Sequence, residues 1–221
     1  GGLMIGNGTA TISDASYKDQ STAGDTEQAF NHDFKAITGG NLEITQPGQF
    51  ADQEISAVFA DSNAVVPLGV TVRQRSYGWS GSIDQDFVIV EYRLSGPADS
   101  TLKDVLVAQH IDWDVNISNT DDLVAFEKQT GLTYTFDAEG KHYIGNQLLT
   151  QSVAGFGVMS YSGDIDDGFS PQEKWTAMTS RPSADTVTVE ADDYSQLLSS
   201  GPVFLRPGEE VTVAFADRKS G

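Results

Sequence analysis

The chain has 221 residues, enough for one large domain or two small ones and long enough to bury a core without covalent staples. It has no cysteine, which excludes disulfides and thiolate metal sites. Thirteen Lys and Arg against 32 Asp and Glu give a formal net charge of −19 and a pI near 4.2, so nucleic acid and anionic lipid surfaces are excluded as partners.

In chain order, short runs rich in Val, Ile, Thr, Phe and Tyr alternate with clusters of Gly, Pro, Asn, Asp and Ser, the pattern of strands and turns. The opening Gly1-Gly2-Leu3-Met4-Ile5-Gly6 reads as the start of a mature or excised domain. The expected strands are Thr9–Ser13, Leu42–Thr45, Ile55–Ala60, Gly69–Ser76, Phe87–Leu94, Val105–Asp112, Leu132–Asp137, Val153–Tyr161, Thr186–Glu190 and Glu210–Ala216. Polar Asp14–Thr26 reads as a loop. Val211, Val213 and Phe215 alternate onto one face, whereas Phe87-Val88-Ile89-Val90 is apolar on both, as for a strand covered on both sides. Pro47-Gly48 and Pro207-Gly208 predict type II turns, with Pro fixing one φ and Gly supplying the positive one. Pro171–Ser180 is the one helical stretch, with Ser170 as N-cap, Pro171 at the first position and Glu173 in the first turn. The fold expected is a single all-β domain over 1–221, a large antiparallel sandwich of jelly-roll or related type, with that short helix. No apolar run reaches the roughly 20 residues that span a bilayer, so no membrane insertion is expected.

No catalytic constellation is legible. Gly78-Trp79-Ser80-Gly81-Ser82 misses the Gly-x-Ser-x-Gly spacing of a nucleophile elbow. Of three histidines, His110 stands two residues from Asp112 on a strand, so both side chains leave one face. His32 and His142 sit in polar, loop-like surroundings. Trp79 and Trp113 are candidates for stacking on sugar rings, against the commoner use of Trp in packing. Asp112, Asp114 and Asn116 repeat the Asp-x-Asp-x-Asn opening of a calcium loop, although Ile117 stands where Gly is needed and Leu123 where a bidentate Glu belongs. The candidate calcium ligands are therefore Asp112, Asp114, Asn116, Asp121 and Asp122, with a second set in Asp164, Asp166 and Asp167.

Three groups of motifs lie in order along the chain: the opening glycines with Ser13-Asp14-Ala15 and Asn31-His32-Asp33-Phe34; Phe87 to Tyr92 followed by Asp112-Trp113-Asp114; and Lys174-Trp175, Asp193-Tyr194-Ser195 and Ser200 to Glu209. Together they resemble a β-rich accessory region of bacterial secreted and cell-surface proteins, often found beside subtilisin-like serine protease domains. That resemblance implies an extracellular or cell-surface setting and a non-catalytic structural or interaction domain, with other domains of a larger secreted protein as partners. The alternatives are a carbohydrate-binding module with structural calcium, taking polysaccharide, and a subunit that assembles with copies of itself through the apolar Gly-rich opening.

Overall fold

In the computed structural model, residues 2–19, 30–115 and 120–220 are described. The strands are β1 (Gly2–Gly6), β2 (Ile12–Asp14), β3 (Lys35–Ala36), β4 (Glu43–Thr45), β5 (Gln53–Ala60), β6 (Thr71–Gly78), β7 (Phe87–Ser95), β8 (Leu102–Asp112), β9 (Asp122–Glu127), β10 (Leu132–Asp137), β11 (Tyr143–Leu148), β12 (Val153–Ser160), β13 (Thr186–Val187), β14 (Tyr194–Leu205) and β15 (Glu210–Ser220). The helix α1 spans Pro171–Thr179 and follows a π-helical turn over Tyr161–Ile165. The fold is an all-β sandwich, as its strand and turn pattern predicts.

A five-stranded sheet runs β12-β14-β8-β1-β2, and a ten-stranded sheet runs β13-β9-β10-β11-β15-β7-β6-β5-β3, with β4 also on β5. Every pairing is antiparallel. The main core fills the space between the sheets with Val72, Leu94, Val107, Leu198, Val213 and Phe215. Val213 and Phe215 share the buried face that their spacing predicts. A second core lies on the other side of the small sheet, where Met4, Leu106 and Leu197 pack under Phe169 and Met178. The molecule thus has three layers, with the small sheet in the middle.

Helix α1 starts where its sequence says it should. The Ser170 side chain accepts from the Glu173 backbone N–H, Glu173 returns the bond to the Ser170 N–H, and Pro171 occupies the first turn. The helix lies against β12 because Gly155 and Gly157 have no side chain: a Cβ on Gly155 would stand 2.3 Å from the Met178 carbonyl oxygen. Lys174 pins the same helix to β2 through a buried ion pair with Asp14, Nζ to Oδ2 3.0 Å.

Several expectations are revised. The opening glycine-rich segment is an interior strand, paired with β8 along its length and with β2 over Met4, Ile5 and Gly6, rather than a free edge. Of the stretch read as a polar loop, Asp14, Ser16 and Tyr17 are buried. Gly208 has φ +77° as its turn requires, but Gly48 does not have a positive φ and the Gln46–Pro47 peptide is cis. The run at Phe87 is only half covered: Val88 is exposed, and β7 becomes buried at Tyr92 and Leu94.

Candidate active site

The sandwich interior becomes polar toward the end of the sheets where β8 finishes and β9 begins. Alternation along β9 and β10 turns Asp122, Val124 and Phe126, and opposite them Asp137, Thr135 and Thr133, toward the small sheet. From the small sheet, Gln109 on β8 and Gln196 on β14 point back. The Thr133 hydroxyl donates to Gln196 Oε1. Asn146 Nδ2 donates to Gln109 Oε1 and to Asp217, and Gln109 Nε2 donates to the Tyr92 hydroxyl at 3.3 Å. Burial pushes the Asp217 carboxyl up to about 6 against the pull of the Asn146 amide, and pushes Tyr92 up to about 12. Two amide atoms of this network, Asn146 Oδ1 and Gln196 Nε2, are buried without a hydrogen-bond partner.

At the other end of β9, four residues along from the Thr133–Phe126 pair, lies an acidic mouth. Asp122 is only 1% exposed, and its Oδ1 has no hydrogen-bond partner. Burial, reinforced by the charges of Asp121, Asp114 and Asp193, raises its carboxyl to about 7 against the Val115 backbone bond. The strand itself brings these acids together. Asp122 and Asp192 form an antiparallel bridge, and the Asp192 N–H donates to the Asp122 carbonyl at 3.1 Å. The Asp193 charge reaches both Asp122 and the Tyr17 phenol. Tyr17 donates its hydroxyl to Asp112, stacks on Phe30 and is held well above the usual phenol range by burial and that bond. One end of the molecule therefore carries a carboxyl that keeps its proton near neutrality beside exposed Asp112 and Asp114.

The first calcium set divides. Asp114 and Asp121 act on Asp122 through their charge, Asp112 turns instead to the Tyr17 hydroxyl, and Asn116 lies outside the described residues. Asp164, Asp166 and Asp167 fall on and just after the π-helical turn, where Asp164 Oδ2 accepts the Ser160 N–H. Among the described residues no group of three or more acidic or histidine side chains is arranged to hold a metal ion. Trp79 donates Nε1 to the Phe50 carbonyl at 3.3 Å, Trp113 is half-buried just beyond β8, and among the described residues neither ring contacts another aromatic. His110 and Asp112 do share a face but do not meet. His110 is buried between Ser16 Oγ at 2.7 Å and Ser195 Oγ at 2.9 Å, and Asp112 turns to Tyr17. His142 pairs with Asp137.

Composition and motif reading missed Asp217, Asn146, Gln109 and Gln196. Each sits in a strand with no motif around it, and only the inward face of its strand would mark it.

No protein-family model and no characterised protein sequence matches the chain. Among solved structures it is similar to a putative aldose 1-epimerase from Escherichia coli K12, at 8% identity over 82% of this chain and 69% of that one, TM-score 0.45. It is also similar to a GalM/aldose epimerase homologue from C. elegans, at 9% identity over 98% of this chain and 81% of that one, TM-score 0.47. Both are described as aldose epimerases or a homologue, and on that finding the expectation of a non-catalytic structural or interaction domain without enzymatic activity is corrected. At this identity the likeness is one of fold, and no residue role passes from either protein to this chain.

Proposed function

We propose that the chain is an enzyme that moves protons on a small hydroxylated substrate, of the size and polarity of a monosaccharide, at the acidic mouth. The observation that carries this reading is Asp122: a buried carboxyl, one oxygen unpartnered, raised to about 7 beside carboxylates in more open surroundings. Two carboxyl groups whose environments differ in this way can serve as acid and base at one pH. Further into the sandwich, the Asp217, Asn146, Gln109 and Gln196 network carries amide and carboxyl groups of the kind that match hydroxyls. In this reading Asp122 holds the proton that is delivered to a ring or anomeric oxygen, and Asp112 or Asp114 accepts one.

The test is polarimetry of freshly dissolved aldoses, with a chromogenic glycoside panel alongside. Acceleration above buffer that Asp122→Asn abolishes supports the proposal; no turnover of any sugar in either assay counts against it.

Calcium at Asp112, Asp114, Asp121 and Asp122 is the second reading, favoured by the same unpartnered Asp122 Oδ1. The two readings exclude each other, because a carboxyl that carries its proton does not ligate the ion. A melting temperature that rises with millimolar calcium, falls with chelator and loses both responses in Asp122→Asn would select calcium.

A further inference from the structure

At the opposite end of β9 from Asp122, where β12 begins, a cleft of about 520 Å³ opens between the edges of the two sheets. Its size falls in the range of small-molecule sites. Phe126 and Val153 line it with apolar surface, and Lys128, Arg181 and Gln151 bring polar groups to it. This lining reverses the character of the chain, which has 13 cationic side chains against 32 acidic ones.

Neither cation's side chain forms an ion pair among the described residues, although the Asp185 carboxylate accepts the Lys128 backbone N–H at 2.9 Å. Among the described residues the ion pairs involve Arg93, Lys141, His142, Lys174 and Arg206, and neither Lys128 nor Arg181. Both are nevertheless held in place. Arg181 donates Nε to the Ala154 carbonyl at 2.8 Å, which orients the guanidinium and leaves its two terminal nitrogens for another partner. Lys128 donates Nζ to the Ser183 carbonyl at 3.0 Å and keeps further N–H donors. Gln151 stands at the rim with φ +60°, a backbone conformation that residues other than glycine seldom adopt.

We propose that this cleft binds a small anion, a carboxylate or phosphate carried on a hydroxylated frame. Arg181 and Lys128 hold the oxyanion, Gln151, whose Nε2 donates to the Thr212 carbonyl at 3.4 Å, offers its Oε1 to a hydroxyl, and Phe126 and Val153 face the carbon skeleton. A planar fork and an ammonium are the donors that suit a carboxylate or a phosphate, and a ligand with no charge gives up both.

The site is independent of the acidic mouth, so calorimetric titration of the full chain tests it without reference to turnover. The probes are glucuronate for the carboxylate, glycerol phosphate for the phosphate and glucose as the neutral control. One of the two anions is expected to bind and glucose not to. Lys128→Gln and Arg181→Gln are each expected to weaken that binding about tenfold, the loss of one charge-assisted contact. Lys128 is exposed, so its variant keeps the wild-type melting temperature even if the loss of the Arg181 bond to Ala154 loosens the other. Absence of binding by both anions, equal binding of glucose, or wild-type affinity in Lys128→Gln overturns the proposal.

Discussion

Replacing Asp122 by Asn should flatten one component of the pH dependence of stability. The Asp122 carboxyl titrates near 7 in the folded chain against a reference of 3.8, a displacement of about three units. At roughly 1.4 kcal/mol per unit the upper bound is about 4 kcal/mol. The neighbouring acids stand in more open surroundings, and screening there reduces the expected effect to about 2 kcal/mol. The sign follows from proton uptake. Between pH 4 and 7 the native state holds a proton that the unfolded chain has released, so this contribution is full below the unfolded value and is lost as pH rises through 7. Asn has the same shape and never ionises. About two thirds of that span lies above pH 5, so wild type should lose about 1 kcal/mol relative to Asp122→Asn on going from pH 5 to pH 8, read from paired urea denaturation curves. Taking the difference between the two proteins removes the contribution of Asp217, which titrates near 6 and is present in both. A wild-type minus variant difference that is equal at the two pH values would refute the argument, because Asp122 would then be ionised in both states.

Three further outcomes follow from the packing. Lys174→Met removes the cation from a pair in which both side chains are 2% exposed, leaving the buried Asp14 carboxyl without it; denaturation should show a loss of about 3–5 kcal/mol, and a loss under about 1 would mean that water reaches the pair. Gly155→Ala places a methyl against the Met178 carbonyl and should cost about 1–3 kcal/mol by the same assay, with an unchanged midpoint showing that α1 can slide away. His110 is held down to about 3 by burial, with the Lys174 charge adding to it, so its ring resonances should not move between pH 8 and pH 5 in an NMR titration. Its folded value lies below 6.5, so the stability it contributes is present above that pH and is lost as pH falls toward 3; a ring that titrates near 6 would contradict the burial.

The fold class was legible because alternation and turn residues report burial locally. The Val211, Val213 and Phe215 face and the Ser170-Pro171 helix start needed no knowledge of the rest of the chain. Strands β1, β9, β11 and β14 were passed over for identifiable reasons. In β1 and β11, glycine lowers strand propensity; in β14, Ser199-Ser200-Gly201-Pro202 reads as a turn, and the pairing with β8 does shift register there. Strand β9 begins at Asp122, inside a run of acids that reads as a loop. The predicted Thr186–Glu190 strand shrinks to Thr186–Val187 at a sheet edge. The candidate site was half legible. The spacing of Asp112, Asp114, Asp121 and Asp122 marks them in the sequence, whereas Asp217 and Asn146 meet only through pairing between β11 and β15, a contact 71 residues apart.

The same comparison explains why a count of 32 acids could not locate chemistry, and why Asp122 stands out once partners are known. Buried acids elsewhere in this chain are satisfied by the fold. Asp61 accepts from the Ser13 hydroxyl at 2.9 Å and from the Leu68 and Val70 N–H groups at 2.6 and 3.0 Å, bracing a loop to β2. Asp14 has Lys174, the Ser16 N–H and the Asn31 amide. Asp137 has two backbone N–H groups and His142, which hold its carboxyl below the usual range. Each of these carboxylates has several donors on its oxygens, which suits a structural brace. Asp122 is buried to the same degree with one oxygen unanswered, and the charges that surround it are of its own sign. A buried carboxyl in that position is destabilising unless it keeps its proton or meets a ligand. Among the described residues, Asp122 is therefore the buried acid whose missing donor leaves room for a proton or a ligand.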